Sequence, residues 1–154
     1  MLTLSEKAQK MPASPIRKLV PFADAAKKRG VKVYHLNIGQ PDIASPKEAL
    51  DAVKNNQLKL VEYPNSAGNK SLLEGLVKYY KGINIDIDTS CINITNGGSE
   101  ALQIALAVTC NPDDEVIVFE PFYTNYNSFA LQNDVILKPI TTKIEDGFAL
   151  PPMS

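Results

Sequence analysis

From Ile92 onward the chain alternates between strand-like and helix-like runs, and this alternation restricts the possible folds most. Ile92-Asn93-Ile94-Thr95 is an apolar run with β-branched residues, the pattern of a strand. The expected order is strand 92–95, helix 98–110, strand 115–119, helix about 124–132 and strand 135–140. A βαβαβ order implies parallel strands with helices packed over them. Glu115-Val116-Ile117-Val118-Phe119 is a continuous apolar run, which predicts a strand buried on both faces. In such sheets ligands bind beyond the carboxyl ends of the strands. Gly97-Gly98-Ser99 and Glu120-Pro121-Phe122-Tyr123 both fall at that edge.

The first of these stretches sits where a strand becomes a helix. Thr95-Asn96-Gly97-Gly98-Ser99-Glu100 leads into the helical run Ala101-Leu102-Gln103-Ile104-Ala105-Leu106. Unpaired N–H groups at a helix start attract an anion, and the helix dipole adds to the attraction. Glycine lets the backbone approach a phosphate closely, and Ser99 offers a hydroxyl. A tight turn alone would also use two glycines, so the local residues leave both readings open. The stretch lacks the Gly-Lys-Ser/Thr of a P-loop and the Gly-x-Gly-x-x-Gly of a dinucleotide site, which disfavours a nucleotide-binding α/β domain. No Gly-x-Ser-x-Gly occurs, so a hydrolase triad has no support. Asp113-Asp114 lies at the opposite end of the sheet and reads as turn chemistry.

Upstream the pattern is mainly helical. Residues 1–13 read as a polar arm with little core of its own. A helix begins near Pro21 and ends at Gly30, with Lys27-Lys28-Arg29 as its solvated last turn. Val31-Lys32-Val33-Tyr34-His35-Leu36 alternates and predicts a short strand, with His35 on its polar face. Asn37-Ile38-Gly39-Gln40-Pro41-Asp42 is a loop. Ser45-Pro46 opens a second helix that ends at Asn55-Asn56. A second loop, Tyr63-Pro64-Asn65-Ser66-Ala67-Gly68, precedes a third helix over Asn69 to Tyr80, striped by Leu72, Leu73, Leu76, Val77 and Tyr80.

Composition excludes several classes. The 154 residues suit one domain, and 44% apolar content is that of a chain that buries a core. A net charge of -1 points to neither nucleic acid nor an acidic membrane surface. The start of the chain is polar and unlike a signal peptide, and no apolar run is long enough to span a bilayer. Cys91 and Cys110 form no CxxC, which makes a reduced, cytosolic setting the default. His35 stands alone, which argues against a metal site. The last residues, Leu150-Pro151-Pro152-Met153-Ser154, fit either a flexible terminus or a truncated larger protein.

Taken together, the Asn37–Asp42, Tyr63–Gly68, Thr95–Leu102 and Glu120–Tyr123 stretches resemble, in order and spacing, the N-terminal part of class I pyridoxal-phosphate-dependent aminotransferases. The resemblance covers essentially the whole chain but less than half of a usual member. It implies an α/β fold, the N-terminal part of the fold-type-I transferase fold, with a mostly parallel sheet flanked by helices and incomplete in this chain. The implied organisation is an arm and substrate-loop segment over 1–45 and the first part of the large cofactor domain over 46–154. The implied function is transfer of an amino group between an amino acid and a 2-oxo acid.

The resemblance also implies roles for residues. Gly97, Gly98 and Ser99 match the segment that binds the phosphate of pyridoxal 5′-phosphate. Tyr123 matches the aromatic residue stacked on the pyridine ring, where many relatives carry Trp. Tyr63 matches a tyrosine that reaches the phosphate in the neighbouring subunit, which implies a homodimer. Gly39 matches the glycine beside the substrate carboxylate. The family's Schiff-base lysine has no counterpart here; Lys138 and Lys143 read as solvated charges. The expectation is therefore a cytoplasmic N-terminal fragment with no catalytic residue and no metal ligand. Alternatives are a β-lyase or decarboxylase of the same fold, or a non-catalytic regulator or binding module. A chain holding only part of this fold is expected to leave strand edges and helix faces uncovered.

Overall fold

A computed structural model describes residues 2–150. In chain order the helices and strands are α1 (Glu6–Lys10), α2 (Val20–Lys28), α3 (Lys47–Lys54), α4 (Lys70–Gly82), α5 (Gly98–Thr109), β1 (Glu115–Glu120), α6 (Tyr126–Gln132) and β2 (Ile136–Thr141). The described residues divide into two compact units, 2–34 with 97–150 and 35–96.

The first unit is built on a parallel ladder. β1 and β2 pair in register from Glu115 opposite Ile136 to Glu120 opposite Thr141. The connection between them is α6, as a parallel crossover requires. Along β1, Val116, Val118 and Glu120 are half-buried, while Glu115, Ile117 and Phe119 are exposed. The strand is thus covered on one face only, and not on both as its apolar run predicts. The reason is in the packing. Leu102 and Leu106 of α5, with Tyr126 and Phe129 of α6, lie over Val116, Val118 and Leu137 around an apolar cavity of about 170 Å³. The opposite face carries Ile117 and the Lys138–Glu115 ion pair at 2.8 Å, and is open among the described residues. Phe129, Ala130 and Val135 are the buried apolar residues here.

The arm has more structure than its polar pattern suggests. Ser5 caps α1 by accepting the Ala8 N–H at 3.1 Å. Lys7 ties α1 down, pairing with Asp134 at 2.7 Å and donating to the Gln132 carbonyl at 3.2 Å. Pro21 lies in the first turn of α2, where its missing N–H costs no helical bond, and the helix closes ahead of Gly30.

The second unit is mainly helical. Asn69 caps α4 by accepting the Ser71 N–H at 3.0 Å, and Leu73 is its buried residue. α4 packs on a short 3-10 turn, Thr89–Cys91. Asp88 caps that turn, accepting from the Ser90 hydroxyl at 2.5 Å and the Ser90 N–H at 2.7 Å. These bonds, the hydroxyl's first, hold the Asp88 carboxyl below its usual range.

Two expected strands are absent. Residues 31–36 and 92–95 take no ladder partner among the described residues. An extended segment becomes a strand only by pairing its backbone with another. Ile94 instead gives its N–H to the Ala67 carbonyl at 2.9 Å, a single tie within the second unit. The βαβαβ expectation is thus met only in its second half, β1–α6–β2, with α5 in place ahead of it.

Candidate cofactor site

Gly97 is the N-cap of α5, with φ +83 and ψ 176. That conformation belongs to glycine almost alone, because a Cβ would strike the backbone. It turns the chain so that Gly98 and Ser99 open the helix. Ala101 donates to the Gly97 carbonyl at 3.4 Å, the first bond of the helix. The N–H groups of Gly98 and Ser99 precede it, and helix geometry supplies them no acceptor within α5. No side chain caps this end. A Cβ built on Gly97 or Gly98 meets nothing within 4 Å, so the space before the helix is open. Ser99 is exposed, with its hydroxyl in the same turn.

This donor set suits a phosphate. Backbone N–H groups and a hydroxyl hydrogen-bond its oxygens, and the positive end of a twelve-residue helix favours its charge. Glu100 stands in the same turn and is half-buried. Gly97, Gly98 and Ser99 therefore fit the phosphate of the cofactor that the sequence suggests.

Tyr123 lies in the loop that leaves the carboxyl end of β1. α5 packs on α6, and residues 110–114 lead from its end into the start of β1; in such a helix-to-strand connection the helix start and the strand's carboxyl end fall at the same edge. Tyr123 is 47% exposed. Two contacts hold its ring. The Tyr126 ring meets it edge-on at 5.7 Å and 88°, and the Asn125 amide donates to its hydroxyl at 2.7 Å. Phe122 stacks on Tyr126 at 6.1 Å. The signal in the sequence for Asn125 and Tyr126 is an amide and a ring two and three residues after a tyrosine at a helix entry.

Gly39 and Tyr63 belong to the second unit. Tyr63 is fully exposed, and Gly39 lies in an exposed loop with open space around its Cα. No cluster of three or more metal-ligating side chains occurs among the described residues. No helix among them is long and apolar enough to cross a membrane.

A parallel crossover unit, β1–α6–β2, with a glycine turn opening the helix ahead of it, defines an α/β protein. The chain belongs to the aminotransferase class I and II family, whose model matches residues 31–150. An aspartate aminotransferase of Thermotoga maritima is 34% identical over 128 residues, covering 80% of this chain and 33% of that protein. A (5-formylfuran-3-yl)methyl phosphate transaminase of Methanocaldococcus jannaschii is 31% identical, covering 82% of this chain and 35% of its own length. Among solved structures, an aspartate aminotransferase from Thermotoga maritima superposes with a TM-score of 0.84 at 29% identity, over 94% of this chain and 39% of that one. An alanine aminotransferase from Pyrococcus furiosus gives 0.83 at 28% identity, over 95% and 38%. The chain thus spans about a third of the length of these curated relatives. The fold is that part of the fold-type-I transferase fold, with parallel strands flanked by helices.

Proposed function

We propose that this chain carries the phosphate cup and stacking ring of a pyridoxal-phosphate-dependent aminotransferase acting on an amino acid and a 2-oxo acid. The observation that carries the reading is the Gly97 turn opening α5, in a chain whose family match includes it. When bound, the pyridine ring of the cofactor is an electron sink for the electrons released at the substrate Cα.

The residues of the chain bind and orient. Gly98 and Ser99 donate backbone N–H groups to the phosphate, and the Ser99 hydroxyl adds a third donor. Anchoring the phosphate at a helix start leaves the ring one pose, and Tyr123 covers one of its faces. Gly39 lies beside the substrate carboxylate, in a loop with open space around its Cα. Tyr63, fully exposed, reaches the phosphate site of a second subunit in a homodimer. Residues 1–45 serve as arm and substrate loop, and 46–154 as the start of the cofactor domain. The two free cysteines suit a cytoplasmic setting.

Binding is the direct test, because no lysine here stands in the context of the family's cofactor lysine. Pyridoxamine 5′-phosphate is a suitable probe, since it has no aldehyde to react with surface lysines. It is expected to bind at least about tenfold more tightly than pyridoxamine, reflecting charged hydrogen bonds to the phosphate. Gly98→Asp places a carboxylate in the cup and is expected to abolish that preference with the far-ultraviolet circular dichroism unchanged. Equal affinities for the two probes in the parent chain would sink the reading.

A further inference from the structure

We propose that Asn125 is a positioning residue for the Tyr123 ring, holding it in place before a planar aromatic ligand arrives. The inference rests on the reading of Tyr123 as the stacking platform. A tyrosine that is 47% exposed ordinarily exchanges rotamers within nanoseconds. Here the phenol is fixed at both ends. Its backbone carbonyl accepts the Tyr126 N–H at 2.9 Å, and its hydroxyl oxygen accepts from the Asn125 amide at 2.7 Å.

Asn125 is itself held. Its carbonyl accepts the Phe129 N–H at 3.0 Å, in the first turn of α6, and Phe129 is only 6% exposed. The short side chain therefore starts from a backbone anchored in the packed part of the unit. The Tyr126 ring blocks one side of the phenol edge-on and opposes rotation about the ring axis. The Asn125 amide holds the hydroxyl end, and with it the direction in which that axis points. A ring held in advance surrenders less rotamer freedom on binding, so its contacts count more fully toward affinity. Because the phenol oxygen accepts here, its own proton stays available to a further acceptor.

A double-mutant cycle tests this. Asn125→Leu keeps the branched shape and removes the donor, while Tyr123→Phe keeps the ring and removes the acceptor. Each is expected to weaken pyridoxamine 5′-phosphate about fivefold, the worth of one neutral hydrogen bond. The double variant is expected to be no weaker than either single one, because both remove the same bond. In the free chain, Asn125→Leu should reduce the near-ultraviolet dichroism of the tyrosines, and in the Tyr123→Phe background it should change nothing. Additive losses would show Asn125 acting through the fold and overturn the proposal. Tyr123→Phe binding as tightly as the parent would overturn it without any change at Asn125. If the parent binds no pyridoxamine 5′-phosphate, the stacking reading fails and this inference with it. If the parent binds and both single variants match it, this inference alone falls.

Discussion

At the scale of single residues, two glycines are demanded by geometry. Gly97 provides the φ +83 turn that exposes the first N–H groups of α5. Gly68 has φ +122 and also lets two backbone segments meet. A Cβ there would lie 2.3 Å from Ile94 Cγ1 and 2.8 Å from Ile94 Cβ. Gly68→Ala therefore combines backbone strain with overpacking, each worth about 1–3 kcal/mol. It is expected to destabilise the second unit by about 2–6 kcal/mol in denaturant unfolding. Adding Ile94→Ala removes the contact with Cγ1 but keeps the one with Cβ, so it should recover only part of the packing loss and leave the strain. A stability equal to the parent's would show that the Ala67–Ile94 tie does not persist in solution.

At the scale of elements, helices start in different ways. Asn69 and Ser5 cap α4 and α1 with side-chain oxygens, whereas α5 begins without such a cap. The φ +83 turn at Gly97, in place of a side-chain oxygen, sets where α5 begins. Asp88 caps the 3-10 turn through a carboxylate, and its bonds from Ser90 favour the charged form. Its folded pKa is depressed, so its contribution is complete above the unfolded value and disappears as pH falls through the folded one. An NMR titration is expected to place the Asp88 midpoint below the ordinary 3.8, and Ser90→Ala should raise it toward that value. A midpoint unmoved by Ser90→Ala would mean the cap is not formed.

At the scale of the whole molecule, apolar side chains lie uncovered. Ile117 is 61% exposed and Phe119 44% on the open sheet face, and Val108 on α5 is 75% exposed. Both strands of the ladder also keep one unpaired edge among the described residues. Such surface seeks cover. The isolated chain is expected to self-associate with rising concentration in sedimentation velocity. Ile117→Lys should shift that association to higher concentration while leaving the far-ultraviolet dichroism unchanged. A monodisperse monomer with a cooperative unfolding transition would contradict the expectation.

What the sequence by itself determined is local. The helices α2, α3, α4 and α5, the strands β1 and β2, and the glycine turn before α5 were all legible within a residue or two, because helix bonds and turn conformations join near neighbours. The resemblance to the aminotransferases was legible too, since it rests on short stretches in a fixed order. Only the tertiary structure decided which partners those stretches found. Ile92–Thr95 has the residues of a strand and no ladder, and β1 has an apolar run with one face covered. The Asn125 amide meets the Tyr123 hydroxyl only because the loop turns sharply into α6. Pairing, coverage and orientation depend on what another part of the chain brings alongside, and the local pattern of residues carries no record of that.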